Sequence, residues 1–232
     1  MNTLKSHLTL YFIFGFLYFL AILADWPLLT YIAKPSFIGA AFFYYIEESN
    51  KPANRLHCTV LILLFISALI NLLEGYSYFI YVLLFNFSAY CILFYQSIKL
   101  LAQKQNLKIE KEYFVHFSLT LIFLACLLYI VTFIVFDRSF EFYKAISVYG
   151  FVLTSFALSA TFLYLSDASS KNMFLLLYAI DIIIGELFYV IHHYYYNFTL
   201  LRVISVSCYI LSFYFLVHYF LKDNNVQTEE QP

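Results

Sequence analysis

The chain has 232 residues, of which 63% are hydrophobic and only 12% charged, with a net charge of −1 and a mean hydropathy of +0.81. A soluble domain carries about 25% charged residues, so this chain lacks the polar side chains to cover a water-facing surface, and the bilayer is its expected solvent. The near-neutral balance also leaves no basic patch for a nucleic acid.

In hydrocarbon every backbone N–H and C=O must be satisfied internally, which favours helices of about 20 residues. A membrane barrel would show shorter alternating segments, and the apolar runs here do not alternate. Eight runs are read in chain order: residues 8–24, 28–46, 56–73, 76–98, 113–136, 143–165, 173–196 and 201–221. The expected fold is therefore all-α, a polytopic transmembrane bundle of about eight spans forming one domain over residues 1–221. Residues 222–232 are polar and are expected to be a disordered tail.

The first run follows Lys5 but has no small-x-small cleavage site after it, so it reads as a helix and not as a signal peptide. Cys58, Cys91, Cys126 and Cys208 all lie within apolar runs and form no CxxC pair. Neither a disulfide framework nor a zinc site is indicated, and no cofactor is expected.

With eight spans, Lys5, Lys51, Arg55, Lys99, Lys104, Lys108, Lys111, Lys171 and Lys222 fall on one side, against Arg138, Lys144 and Arg202 on the other. That bias predicts both termini in the cytoplasm of a multi-pass protein.

Ionisable residues inside the runs are candidate functional groups, because a charge in hydrocarbon is costly. Lys34-Pro35 interrupts the second run, with Lys34 roughly 9 Å from one end of its span at 1.5 Å per residue. Such a lysine either snorkels to the headgroups or points into the bundle toward a carboxylate or a lipid phosphate.

The seventh run carries Asp181, Glu186, His192 and His193. Asp181 and Glu186 are separated by about 140° around a helix and so do not form a dyad, whereas Glu186 and His193 share a face. Glu186 lies at a depth comparable with Lys34, and an ion pair between them is expected. Alternatively the two carboxyl groups are interhelical glue, hydrogen-bonded to Tyr and Ser. Glu186 with His192 and His193 lacks HExxH spacing and a fourth donor, so no metal site is expected. Asn71 and Glu74 share a face at the end of the third run, and Ser166-Asp167 closes the sixth, where a capping role is the plain reading.

Several of these residues, in this order, resemble the lysoplasmalogenase (YhhN-like) family of eight-helix membrane proteins. Tyr31-Ile32-Ala33-Lys34-Pro35 is similar to that family's Lys-Pro motif. Ser67-Ala68-Leu69-Ile70-Asn71 stands where the family has Ser-Leu-x-Gly-Asp, with Asn71 in place of the acid. Phe87-Ser88-Ala89-Tyr90 with Tyr95 matches an aromatic–Ala-His–Tyr stretch, with Tyr90 in place of the imidazole. Ser159-Ala160 leading to Ser166-Asp167 is similar to a small-residue helix that ends in Ser-Asp.

The resemblance implies hydrolysis of the vinyl-ether bond of lysoplasmalogens, releasing a fatty aldehyde and a glycerophospho-base. That chemistry needs a general acid to protonate the β-carbon and a second polar group to position water. Asn71 has no proton to give at neutral pH. Glu186, Asp181, Glu74 and Asp167 are the candidate acids; Lys34, Asn71, Tyr90 and His193 are the candidate contacts to a lysophospholipid-like substrate. The alternative is a non-catalytic protein of the same fold that binds a lipid or a partner helix. A solute transporter ranks last, because only Pro35 breaks a span.

Overall fold

The computed structural model describes residues 4–49, 53–73, 78–103, 111–136 and 140–229. Eight α-helices occupy the eight expected runs: α1 Leu4–Leu23, α2 Pro27–Glu48, α3 Arg55–Asn71, α4 Phe79–Gln103, α5 Lys111–Tyr129, α6 Tyr143–Ser166, α7 Ser170–Tyr194 and α8 Thr199–Glu229. A π-helical segment, Ile130–Val135, continues α5, and no strand occurs among the described residues. Six helices, all but α2 and α3, are long and apolar enough to cross a membrane. The protein is a multi-pass, all-α membrane bundle. α3 has only 17 residues, while Lys34, Pro27, Pro35 and several tyrosines lower the hydropathy of α2.

Local chemistry sets the helix ends. Pro27 opens α2, where its missing N–H costs nothing. The Asn54 side chain accepts from the Leu56 N–H at 2.9 Å to cap α3, and Ser169 caps α7 through the Asn172 N–H. Asp25 takes φ 49°, a left-handed conformation that short polar side chains tolerate. It lets the Trp26 N–H return to the Ala21 carbonyl at 2.8 Å and close α1.

Inside α2, Pro35 cannot donate to the Tyr31 carbonyl, yet the helix continues. The neighbouring Ser36 hydroxyl bonds the Ile32 carbonyl at 2.7 Å.

The bundle is organised as α1–α2, α3–α4 and α7–α8 pairs, with α4 and α7 both against α6, and α8 also touching α1 and α2. α5 lies at the margin against α6, and its π segment reaches α7. Small residues bring α7 and α8 together: a Cβ at Gly185 would lie 3.4 Å from Cys208 Cβ, and the Ser205 hydroxyl donates to the Gly185 carbonyl at 2.8 Å. Phe37 is fully buried among Tyr11, Tyr18, Tyr209 and Phe213, with ring centroids 5.7–5.9 Å away, and the Tyr11 hydroxyl bonds the Ile210 carbonyl. This aromatic knot joins α1, α2 and α8.

The start of α1 and the end of α8 lie at one end, here the terminal face, where His7 Nε2 is 3.3 Å from Glu47 Oε2. The opposite end, the mouth face, carries the α1–α2 and α7–α8 turns, where Arg202 Nη1 is 3.5 Å from Asp25 Oδ1. The expected disordered tail is corrected in part. α8 runs on to Glu229, and Asp223 is buried, because the bundle offers it partners at the terminal face.

Candidate functional site

A cavity of about 650 Å³ opens at the mouth face and descends between the helices. Its walls are mostly apolar, and its polar lining includes Lys34, Asn71, Asp181, Glu186 and Tyr149. A cavity of this size with a few convergent polar groups is the usual form of a small-molecule site.

Lys34 is only 6% exposed, so it does not snorkel to the headgroups. The sequence places it one residue before Pro35, on the α2 face that also buries Ala33, Phe37 and Ile38. Its ammonium stands 5.8 Å from the centroid of the Tyr209 ring, within cation–π range, and interacts electrostatically with Glu186.

The angular separation of the two α7 carboxyl groups is realised as different surroundings. Glu186 faces Lys34 of α2 and Tyr149 of α6. Asp181 turns toward Tyr11 and Cys208 on α1 and α8, with its Oδ2 buried and lacking a hydrogen-bond partner. Both line the same cavity, which wraps a wide arc of α7. Asn71 lines it from the end of α3.

At the mouth, His192 and His193 are lining residues. The His193 Nδ1 lies 3.1 Å from the Tyr189 carbonyl and the His192 Nδ1 3.1 Å from the Phe198 carbonyl. Each contact holds its ring in place at the mouth. Among the described residues, His, Cys, Asp and Glu nowhere gather in threes as a metal site would require.

Three expectations are corrected or fall elsewhere. Tyr90 is 1% exposed and lies behind the cavity wall, its ring 5.8 Å from that of Tyr149; its bulk fills the core, so it does not reach a substrate. Asp167 lies at the terminal face, outside the cavity, where Asn172 Nδ2 donates to its Oδ2 at 3.1 Å and to its carbonyl at 2.9 Å. That is the capping role of a helix connection. Glu74 lies outside the described residues.

The sequence reading missed Tyr149, Tyr178 and Tyr209 around Glu186, and Arg202 and Asp25 at the mouth. Tyrosines are too numerous for one of them to stand out, and Arg202 was visible only as part of the charge bias.

A second polar cluster, also missed, closes the terminal face. His57, fully buried, places Nε2 3.3 Å from Asp223 Oδ2 and Nδ1 3.0 Å from the Tyr45 hydroxyl. Lys171 Nζ reaches Asp223 Oδ1 at 3.2 Å. The Tyr45 oxygen accepts from the Asn54 N–H at 3.2 Å and from Asn224 Nδ2 at 3.4 Å. Phe220 stacks on the imidazole with centroids 4.0 Å apart. This cluster ties α2, α3, α7 and α8 together and is not part of the cavity lining.

In comparison with known proteins, no family model, no curated protein and no solved structure matches the chain.

Proposed function

We propose that the protein is a divergent relative of the lysoplasmalogenase (YhhN-like) family that binds a lysophospholipid-like ether lipid in the mouth-face cavity and hydrolyses its vinyl ether. One observation carries this reading: a single cavity encloses Lys34 together with Glu186 and Asp181.

Glu186, in its acid form, protonates the β-carbon of the vinyl ether. Water adds to the resulting oxocarbenium carbon, and the hemiacetal collapses to a fatty aldehyde and a glycerophospho-base, the released proton restoring the acid. Lys34 steadies the Glu186 carboxylate between proton transfers. His193 and Arg202, at the mouth, meet the lipid phosphate, and the apolar walls take the chain. With the terminal face taken as cytoplasmic, as the charge bias favours, the mouth opens on the other side of the membrane.

The test is aldehyde release from lysoplasmenylethanolamine by the purified protein, compared with Lys34→Ala and Glu186→Gln. Activity in the wild type that both substitutions reduce supports the reading; wild-type release no greater than that of the variants overturns it.

A second reading, lipid binding without turnover, is favoured by Asn71. It lines the cavity where the resembled family has an acid. Saturable lipid binding with no aldehyde release selects this reading.

A further inference from the structure

The cavity wall around Glu186 has an unusual polar inventory. Tyr149 of α6 is 92% buried (8% exposed) and lines the cavity beside Glu186. Its hydroxyl is shut off from solvent without a hydrogen-bond partner of good geometry. Tyr178, two turns back along α7 from Glu186, is 0% exposed, and its hydroxyl is also unpartnered. The Tyr90 hydroxyl of α4 lies between the two and within close polar range of both.

Buried polar atoms in membrane proteins are almost always satisfied, and two orphans around one carboxyl group need an explanation. A direct bond between them does not provide it, since each lacks a well-aligned partner. A water molecule does: it needs two to four polar partners, and Tyr149, Tyr178, Tyr90 and Glu186 supply that number.

We propose that the hydroxyls of Tyr149 and Tyr178, with Tyr90 between them, hold an ordered water behind the Tyr149 wall of the cavity, beside Glu186, and that this is the water consumed in the hydrolysis. This assignment rests on the proposed reaction for its second half only. Geometry gives it a direction. The substrate occupies the cavity side of Tyr149, so the reacting carbons meet Glu186 from there while the water waits on the core side, where Tyr90 and Tyr178 are buried.

The proton leaves Glu186 for the β-carbon. The water oxygen bonds the oxocarbenium carbon, and its surplus proton passes back to the Glu186 carboxylate, directly or through Tyr149. The hemiacetal hydroxyl then gives up its proton as the carbonyl forms, the C–O bond to the glycerol breaks, and the glycerol oxygen takes up a proton, leaving aldehyde and alcohol. Tyr149 and Tyr178 are in this scheme positioning residues, since they act through the water.

Two measurements on the full chain in lipid nanodiscs decide the matter. The first is an experimental structure at a resolution that shows ordered water. Density bonded to the Tyr149 and Tyr178 hydroxyls is expected; hydroxyls that bond each other or Tyr90 directly, with no water between, overturn the site.

The second is steady-state kinetics of Tyr149→Phe and Tyr178→Phe. Misplacing a reactant by about 1 Å costs up to about 10²-fold in rate, so kcat should fall toward that limit with KM unchanged and melting temperature nearly so. An unchanged kcat in both variants overturns the water's role. A wild type that holds the water yet releases no aldehyde leaves the site standing and removes the reaction instead.

Discussion

The two ends of this bundle surround buried polarity differently, with packed side chains at one and a cavity at the other. At the terminal face, His57, Asp223, Lys171, Tyr45 and Asn224 come from four helices and are chained to one another at 3.0–3.4 Å. Deeper in the bundle, Tyr149, Tyr178 and Asp181 have buried oxygens without well-aligned partners, as Asn172 Oδ1 has at the terminal face, but only Tyr149 and Asp181 of these border the cavity of about 650 Å³. Saturated polarity fastens helices together, and its removal leaves charges stranded in a low dielectric. Unsaturated polarity next to open space is what a ligand or water requires. The contrast separates a packed end from a cavity-bearing one without reference to any relative.

Substitutions can break or sharpen that contrast. The largest effect is expected at the cavity-bearing end. Glu186→Gln keeps the shape of the side chain and removes its acid, so aldehyde release should fall by about 10²–10⁴ while the melting temperature in detergent holds. Collapse of the fold together with activity would assign Glu186 to the structural class instead. Asp223→Ala should do the reverse. It strands His57 and Lys171, and breaking a buried pair in this way costs about 3–5 kcal/mol, read as a lowered denaturation midpoint.

Smaller losses are expected elsewhere. Tyr45→Phe removes the oxygen that the Asn54 N–H and Asn224 donate to, costing about 1–3 kcal/mol by the same measurement. Gly185→Leu overfills the α7–α8 contact and costs about 1–3 kcal/mol, whereas Gly185→Ala should be close to neutral because a Cβ there meets only ordinary contact at 3.4 Å. The least change is expected from Arg202→Ala, whose partner Asp25 is 88% exposed, so about 0–1 kcal/mol. Equal costs at Asp223 and Arg202 would erase the distinction between the ends.

The bundle was legible in the sequence because hydropathy over about 20 residues is a direct physical requirement of the bilayer. Lys34, Asn71, Asp181, Glu186 and His193, all found on one cavity, stood out because polar groups are rare in such runs. Tyr149 and Tyr178 did not, since each is one of 23 tyrosines and only its neighbours distinguish it. Asp223 reads as part of a tail because it follows the last apolar run. Its burial depends on His57 and Lys171, which no local window contains. Asp167 misled for a related reason: a two-residue motif carries no information about depth, and this one sits at the end opposite the cavity. Tyr90 was placed in the right neighbourhood but on the wrong side of the wall.

Pro35 has a consequence for hydration. With no N–H at residue 35, the Tyr31 carbonyl loses its ordinary helical donor, and in hydrocarbon an unsatisfied group of that kind costs several kcal/mol. Tyr31 lies on the cavity lining, where water can take the missing donor's place. Lys34, on the same cavity, thus shares its stretch of helix with a backbone oxygen in need of a donor, and a ligand entering beside α2 meets both.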